Sequence, residues 1–153
     1  MNIECPSCGR KNRVPDAATG VPHCGSCHDA IPWVAEADDE TFREVVEEAT
    51  LPVLLDIWAE WCGPCRMVSP ILERLSAEFA GRVKLVKVDA DKAPGVSRRF
   101  GVQAIPTLLV LQRGREVSRQ IGAAPEIQLS QWLRGALEPD GAAGSDPLDT
   151  PLS

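Results

Sequence analysis

Between residues 38 and 137 the apolar positions change period several times. Phe42, Val45, Val46 and Ala49 recur three and four apart, behind Asp38 or Asp39 as N-cap, and predict a helix. PVLLDIW (52–58) is apolar almost throughout and predicts a buried strand. Val68, Ile71, Leu72, Leu75 and Phe79 mark one face of a long amphipathic helix with Pro70 inside it. A proline there removes a ladder hydrogen bond and predicts a kink. VKLVKVD (83–89) predicts another strand, and PGVSRRF (94–100) a short helix. PTLLVLQRGREVSRQIG (106–122) predicts a hairpin turning near Arg113 and Gly114. Leu129, Trp132, Leu133 and Ala136 close the series with a helix in which Trp132 fills the core. Alternating helices and strands of these lengths predict an α/β layer fold, a mixed sheet flanked by helices.

The flanks have other patterns. Residues 1–33 contain few core formers, several turn formers, both histidines and four of the six cysteines. So small a segment needs a staple to fold. It is expected to be a separate small module, with the α/β domain over 34–137. Residues 138–153, EPDGAAGSDPLDTPLS, predict a disordered acidic tail.

Charge narrows the function. Lys and Arg total 16 and Asp and Glu 22, a net charge of −6. No basic footprint for nucleic acid is present, including in the charge-balanced first 33 residues. No apolar run approaches the ~18 residues of a membrane span. MNIECPSCGRKNRVP lacks the apolar stretch of a signal peptide, so a cytoplasmic location is expected. A reducing compartment argues against three structural disulfides. The cysteines fall instead into three C-x-x-C units, which suggests local redox chemistry or chelation.

Cys62 and Cys65 stand where a strand gives way to a helix. The opening N–H groups of that helix favour a thiolate at Cys62, and Cys65, one turn on, can close a disulfide. Gly63 and Pro64 suit the turn between them, and Pro64 suits the start of a helix. Asp56 interrupts the apolar strand just before this unit. Burial raises a carboxyl pKa, and a carboxylate that takes a proton near neutrality is a general base for Cys65, the expected buried thiol. Lys87, on the next strand, either pairs with Asp56 or lies exposed at an edge.

Near the N-terminus, Cys5-x2-Cys8, 15 residues and Cys24-x2-Cys27 match a zinc pattern. Two thiolate pairs on two tight turns suit tetrahedral zinc, with iron or two redox disulfides as alternatives. Gly9 follows the first pair, while His28 takes the corresponding place after the second. His23 and His28 are expected to be bystanders.

DIWAEWCGPCRMVSPIL (56–72) and GVQAIPTLLVLQRGREV (101–117) resemble the thioredoxin family. The resemblance covers about 34–137. It implies a protein-disulfide reductase of the thioredoxin fold, needing no organic cofactor of its own, monomeric, and recharged by an NADPH-dependent thioredoxin reductase. It makes Cys62 the attacking and Cys65 the resolving cysteine, Asp56 the buried base and Lys87 its neighbour. Pro106 becomes a cis-proline beside the disulfide. Trp61, Gly63, Pro64, Ile105 and Gly122 form the substrate-facing rim, with the Ile105 backbone pairing with an extended substrate chain. ECPSCGRKNRVP and PHCGSC ahead of such a domain resemble the zinc-binding second type of bacterial thioredoxin, which implies one zinc on Cys5, Cys8, Cys24 and Cys27. Two competing readings remain. One is a redox-sensing, chaperone-like binding protein triggered by zinc release. The other is an oxidising or isomerising C-x-x-C protein, which Gly63–Pro64 disfavours.

Overall fold

The computed structural model describes residues 1–18 and 20–138. The expected acidic tail therefore lies, apart from Glu138, outside the described residues. The element order is β1 (Asn2–Glu4), β2 (Lys11–Arg13), β3 (Val34–Glu36), a π-helical turn (Arg43–Glu47), β4 (Val53–Trp58), α1 (Gly63–Glu78), β5 (Lys84–Asp89), α2 (Pro94–Arg99), β6 (Thr107–Gln112), β7 (Arg115–Ile121) and α3 (Glu126–Leu137). β1 and β2 form a small antiparallel ribbon. The other five strands form one sheet in the order β3-β5-β4-β6-β7. β5 runs parallel to β3 and β4, while β6 runs antiparallel to β4 and β7, so the sheet is mixed as expected.

Alternation within the central strands divides the core. Val53, Leu55 and Ile57 of β4 join Phe42, Val46, Val86, Val96 and Phe100 on one face. Leu54 joins Leu72 and Leu75 of α1, Phe79 just past its end, and Leu129 and Leu133 of α3 on the other. Asp56 shares the parity of Leu54 and so belongs to the α1 face. In register, Asp56 has Lys87 on β5 and Leu108 on β6 as its neighbours.

One local expectation changes. The stretch around Val45 and Val46 is a π-helical turn rather than an α-helix, although Phe42, Val45, Val46 and Ala49 are all buried as their spacing required. Asp38 Oδ1 accepts from the N–H groups of Glu40 and Thr41 at 2.9 Å each in the turn that leads into this element, whose own N-cap, Phe42, has no side-chain cap. Asp39 serves a different helix: its carboxylate accepts from the N–H groups of Gly95 (2.9 Å) and Val96 (2.8 Å) in α2. α1 runs unbroken through Pro70. The β6–β7 hairpin turns at Arg113 (φ 52°) and Gly114 (φ 81°), the left-handed pair that a two-residue hairpin demands.

The N-terminal segment has no core of its own. Ile3, Cys5, Val14, Cys24, Ile31 and Trp33 are buried in the same cluster as α1 and α3. Lys84 fastens the segment further. Its fully buried ammonium donates to the carbonyls of Asp16 (2.5 Å) and Val45 (2.7 Å) and lies 4.2 Å from the centre of the Trp33 ring. That burial pushes the Lys84 pKa down to about 8, against the opposing pull of Asp16.

Candidate functional site

β4 ends at Trp58 and α1 begins at Gly63, so residues 59–62 deliver Cys62 to the helix N-terminus. Cys62 is the N-cap: its Sγ accepts from the Cys65 N–H at 3.2 Å. Pro64 occupies the first turn, where its missing N–H would have had no partner. Cys62 and Cys65 are joined as a disulfide, with Cα atoms 5.3 Å apart. Cys65 is buried as expected at 5% exposure, and Cys62 is buried with it at 3%, because Ala59, Trp58 and Ile105 pack around the pair.

Asp56 is 3% exposed, and its Oδ1 has no hydrogen-bond partner among the described residues. Desolvation raises its pKa to about 7, with Lys87 pulling the other way. A cavity of about 180 Å³ brings Asp56, Cys65, Ser69, Lys87, Glu60 and Arg66 to one space. Lys87 is the neighbour of Asp56 and moderates its shift, but it makes no direct hydrogen bond to the carboxylate. It is half-buried rather than an exposed edge residue, and its ammonium donates to Ser69 Oγ at 2.6 Å rather than to Asp56. Ser69 had escaped notice in the sequence. Its signal was its place four residues after Cys65, on the same face of α1.

Of the residues expected at the rim, Ile105 adjoins the cysteine pair and shares a groove with Trp61. The Ile105–Pro106 bond is cis, and Ile105 packs against the cysteine pair. Neither the N–H nor the C=O of Ile105 has a partner among the described residues. Gly122, at φ 85°, donates its N–H to the Pro106 carbonyl at 2.8 Å. Trp61 is 70% exposed, and its indole N–H donates to Asp91 Oδ2 at 2.9 Å, a partner the sequence did not suggest. Trp61 and Ile105 line a surface groove of about 410 Å³ together with Arg98 and Gln103. Gly63 and Pro64 are exposed beside them.

The other four cysteines form a second cluster. Their sulfurs lie within 4.8 Å of one another, with Cys5–Cys27 and Cys8–Cys24 each at 3.6 Å. Four thiolates around zinc, at ~2.3 Å each, stand roughly 3.8 Å apart, so the donor set fits a tetrahedral ion. The two knuckles are built alike. Gly9 N–H donates to the Cys5 carbonyl and His28 N–H to the Cys24 carbonyl, each at 2.9 Å, with Gly9 at φ 80° and His28 at φ 68°. Backbone N–H groups of Cys27 and Ser26 pull the Cys24 thiol down to about 5. Cys27 receives the Asp29 N–H, but partial desolvation and its three sulfur neighbours outweigh that and push it up to about 12. Such a cluster holds four thiolates only around a cation. The two histidines lie outside this group of four sulfurs. His23 Nδ1 instead meets the His28 carbonyl at 3.1 Å.

A family model named Thioredoxin matches residues 33–135, well over half the chain. The chain belongs to the thioredoxin family. Thioredoxin C-3 of Corynebacterium nephridii is 40% identical over 141 residues, covering 90% of this chain and 97% of that protein. The thioredoxin of Haemophilus influenzae is 45% identical over 100 residues (65% of this chain, 94% of its own). Thioredoxin 1 of a Nostoc species is 42% identical over 99 residues (65% and 92%). Family membership, together with a C-x-x-C pair closed as a disulfide at a helix N-terminus, makes this chain a dithiol–disulfide oxidoreductase of the thioredoxin fold. No helix among the described residues is long and apolar enough to cross a membrane.

Proposed function

We propose that this thioredoxin reduces protein disulfides, with Cys62 as nucleophile, Cys65 as resolving thiol and Asp56 as the base that serves Cys65. The observation that carries these roles is the seating of Cys62 Sγ on the Cys65 N–H, with Asp56 in the same cavity as Cys65. In the dithiol form the Cys62 thiolate attacks a target disulfide. The target's S–S bond breaks, one target thiolate leaves, and a mixed disulfide forms. Cys65 passes its proton to Asp56 and attacks Cys62 Sγ. The second target thiolate leaves, two electrons have moved to the target, and Cys62–Cys65 is a disulfide. Trp61, Gly63, Pro64, Ile105, Pro106 and Gly122 hold the target, whose extended backbone pairs with the open N–H and C=O of Ile105. A cytoplasmic NADPH-dependent thioredoxin reductase restores the dithiol, and the chain acts as a monomer.

Zinc is the proposed occupant of Cys5, Cys8, Cys24 and Cys27, where it supplies folding energy to residues 1–33. The residues themselves do the rest: Cys5 and Cys24 turn inward into the α1–α3 core, while Cys8 and Cys27 face outward. Residues 34–137 carry the redox chemistry. Cys65→Ser tests the proposal, because without the resolving thiol the mixed disulfide persists. The variant captures disulfide-linked targets from a cell extract, and recovery of none counts against the assignment.

A further inference from the structure

A lysine beside a buried carboxylate ordinarily pairs with it, because unpaired charge in the interior is unfavourable. Here Asp56 and Lys87 are direct neighbours on adjacent parallel strands and face one cavity, yet no hydrogen bond or ion pair joins them. The Lys87 ammonium goes instead to the Ser69 hydroxyl at 2.6 Å. Ser69 is half-buried on α1, one turn beyond Cys65. The hydroxyl is thus placed to draw the cation towards the helix and away from the carboxylate.

We propose that Ser69 is a positioning residue for proton transfer at Asp56: its hydroxyl holds the Lys87 ammonium off the carboxylate and so leaves Asp56 free to accept the Cys65 proton. This rests on the reading of Asp56 as the base for Cys65. The groups facing Asp56 are few. Lys87 comes from β5, Cys65 and Arg66 from α1, and Glu60 from the β4–α1 connection, while β6 presents Leu108. Lys87 is the cation paired with Asp56 in strand register. Losing the Ser69 oxygen frees its ammonium to pair with the Asp56 carboxylate. A close opposite charge favours the ionised form, so Asp56 then holds its proton less well.

The test is a pH titration of the Asp56 carboxyl carbon by NMR in the full-length protein, oxidised form. Wild type, Ser69→Ala, Ser69→Thr and Lys87→Met are compared. Ser69→Ala is expected to lower the midpoint by about one unit, a tenfold change in the protonation ratio. Ser69→Thr, which keeps a hydroxyl, restores it. In the Lys87→Met background, Ser69→Ala shifts nothing, because the cation it would release is gone. An unmoved midpoint in Ser69→Ala, or the same shift without Lys87, overturns the proposal. The pH profile of mixed-disulfide resolution is the second readout, and its inflection follows the NMR midpoint in Ser69→Ala. Loss of that inflection in Asp56→Asn supports the base assignment on which the proposal rests. Should Asp56→Asn retain it, the base assignment fails, whatever the carboxyl titration shows for Ser69.

Discussion

Asp56→Asn separates the stability of this fold from its chemistry. The ordinary carboxyl value is 3.8, and burial in the folded chain lifts Asp56 to about 7 even against Lys87. The folded state therefore binds more protons than the unfolded chain between those two values. Stability must fall as pH rises through that window, the reverse of the usual salt-bridged aspartate. A shift of roughly three units at 1.36 kcal/mol each amounts to about 4 kcal/mol across the window, more than half of it between pH 5 and pH 8. With Asp56 3% exposed, solvent screening reduces this little. Asparagine carries no proton to lose, so the variant lacks this slope. The assay is urea unfolding of the oxidised protein, wild type and variant, at half-unit steps from pH 5 to pH 8. The two curves should diverge towards high pH, with the variant increasingly favoured. Curves that stay parallel would show that Asp56 ionises as an ordinary carboxylate and would remove the physical basis for its role as base.

Three further outcomes follow from other parts of the molecule. Elemental analysis of the purified chain should find one zinc per chain with only Cys62 and Cys65 open to thiol reagents; Cys24→Ser should bind less metal and melt at lower temperature, since Cys24 is both a ligand candidate and fully buried. His28→Gly should stabilise the zinc-loaded protein by up to ~1 kcal/mol in thermal unfolding, because His28 sits at φ 68°, where a Cβ is unfavourable, and its carbonyl contact with His23 is main-chain. Lys84→Ala should lose about 2–3 kcal/mol in urea unfolding, since two charge-assisted hydrogen bonds and the Trp33 contact disappear together.

What could be read in advance was what is encoded within one element. The strand around Asp56 was legible because a carboxylate amid Val53, Leu54, Leu55 and Ile57 has nowhere polar to go on either face of a central strand. The cysteine knuckles were legible because each is closed by residues five or fewer apart. The parts that escaped were contacts between distant elements. Asp39 and Asp38 look interchangeable as caps, yet only tertiary approach sends Asp39 to α2, over fifty positions away. Residues 1–33 read as a small module too poor in core to fold without a staple, and the sequence does not say what their few apolar residues pack against. Only the folded chain shows Ile3, Val14, Ile31 and Trp33 packing beneath α1 and α3, with Lys84 tying Asp16 to Val45. The partner of Lys87 is the same kind of case. A serine one turn after Cys65 resembles any half-buried helical serine, and strand register alone favours the ion pair with Asp56. Register sets which backbone positions are opposed. It does not decide where a long lysine side chain directs its charge, and a hydroxyl projecting from the helix above the sheet competes for that charge with the carboxylate on the adjacent strand.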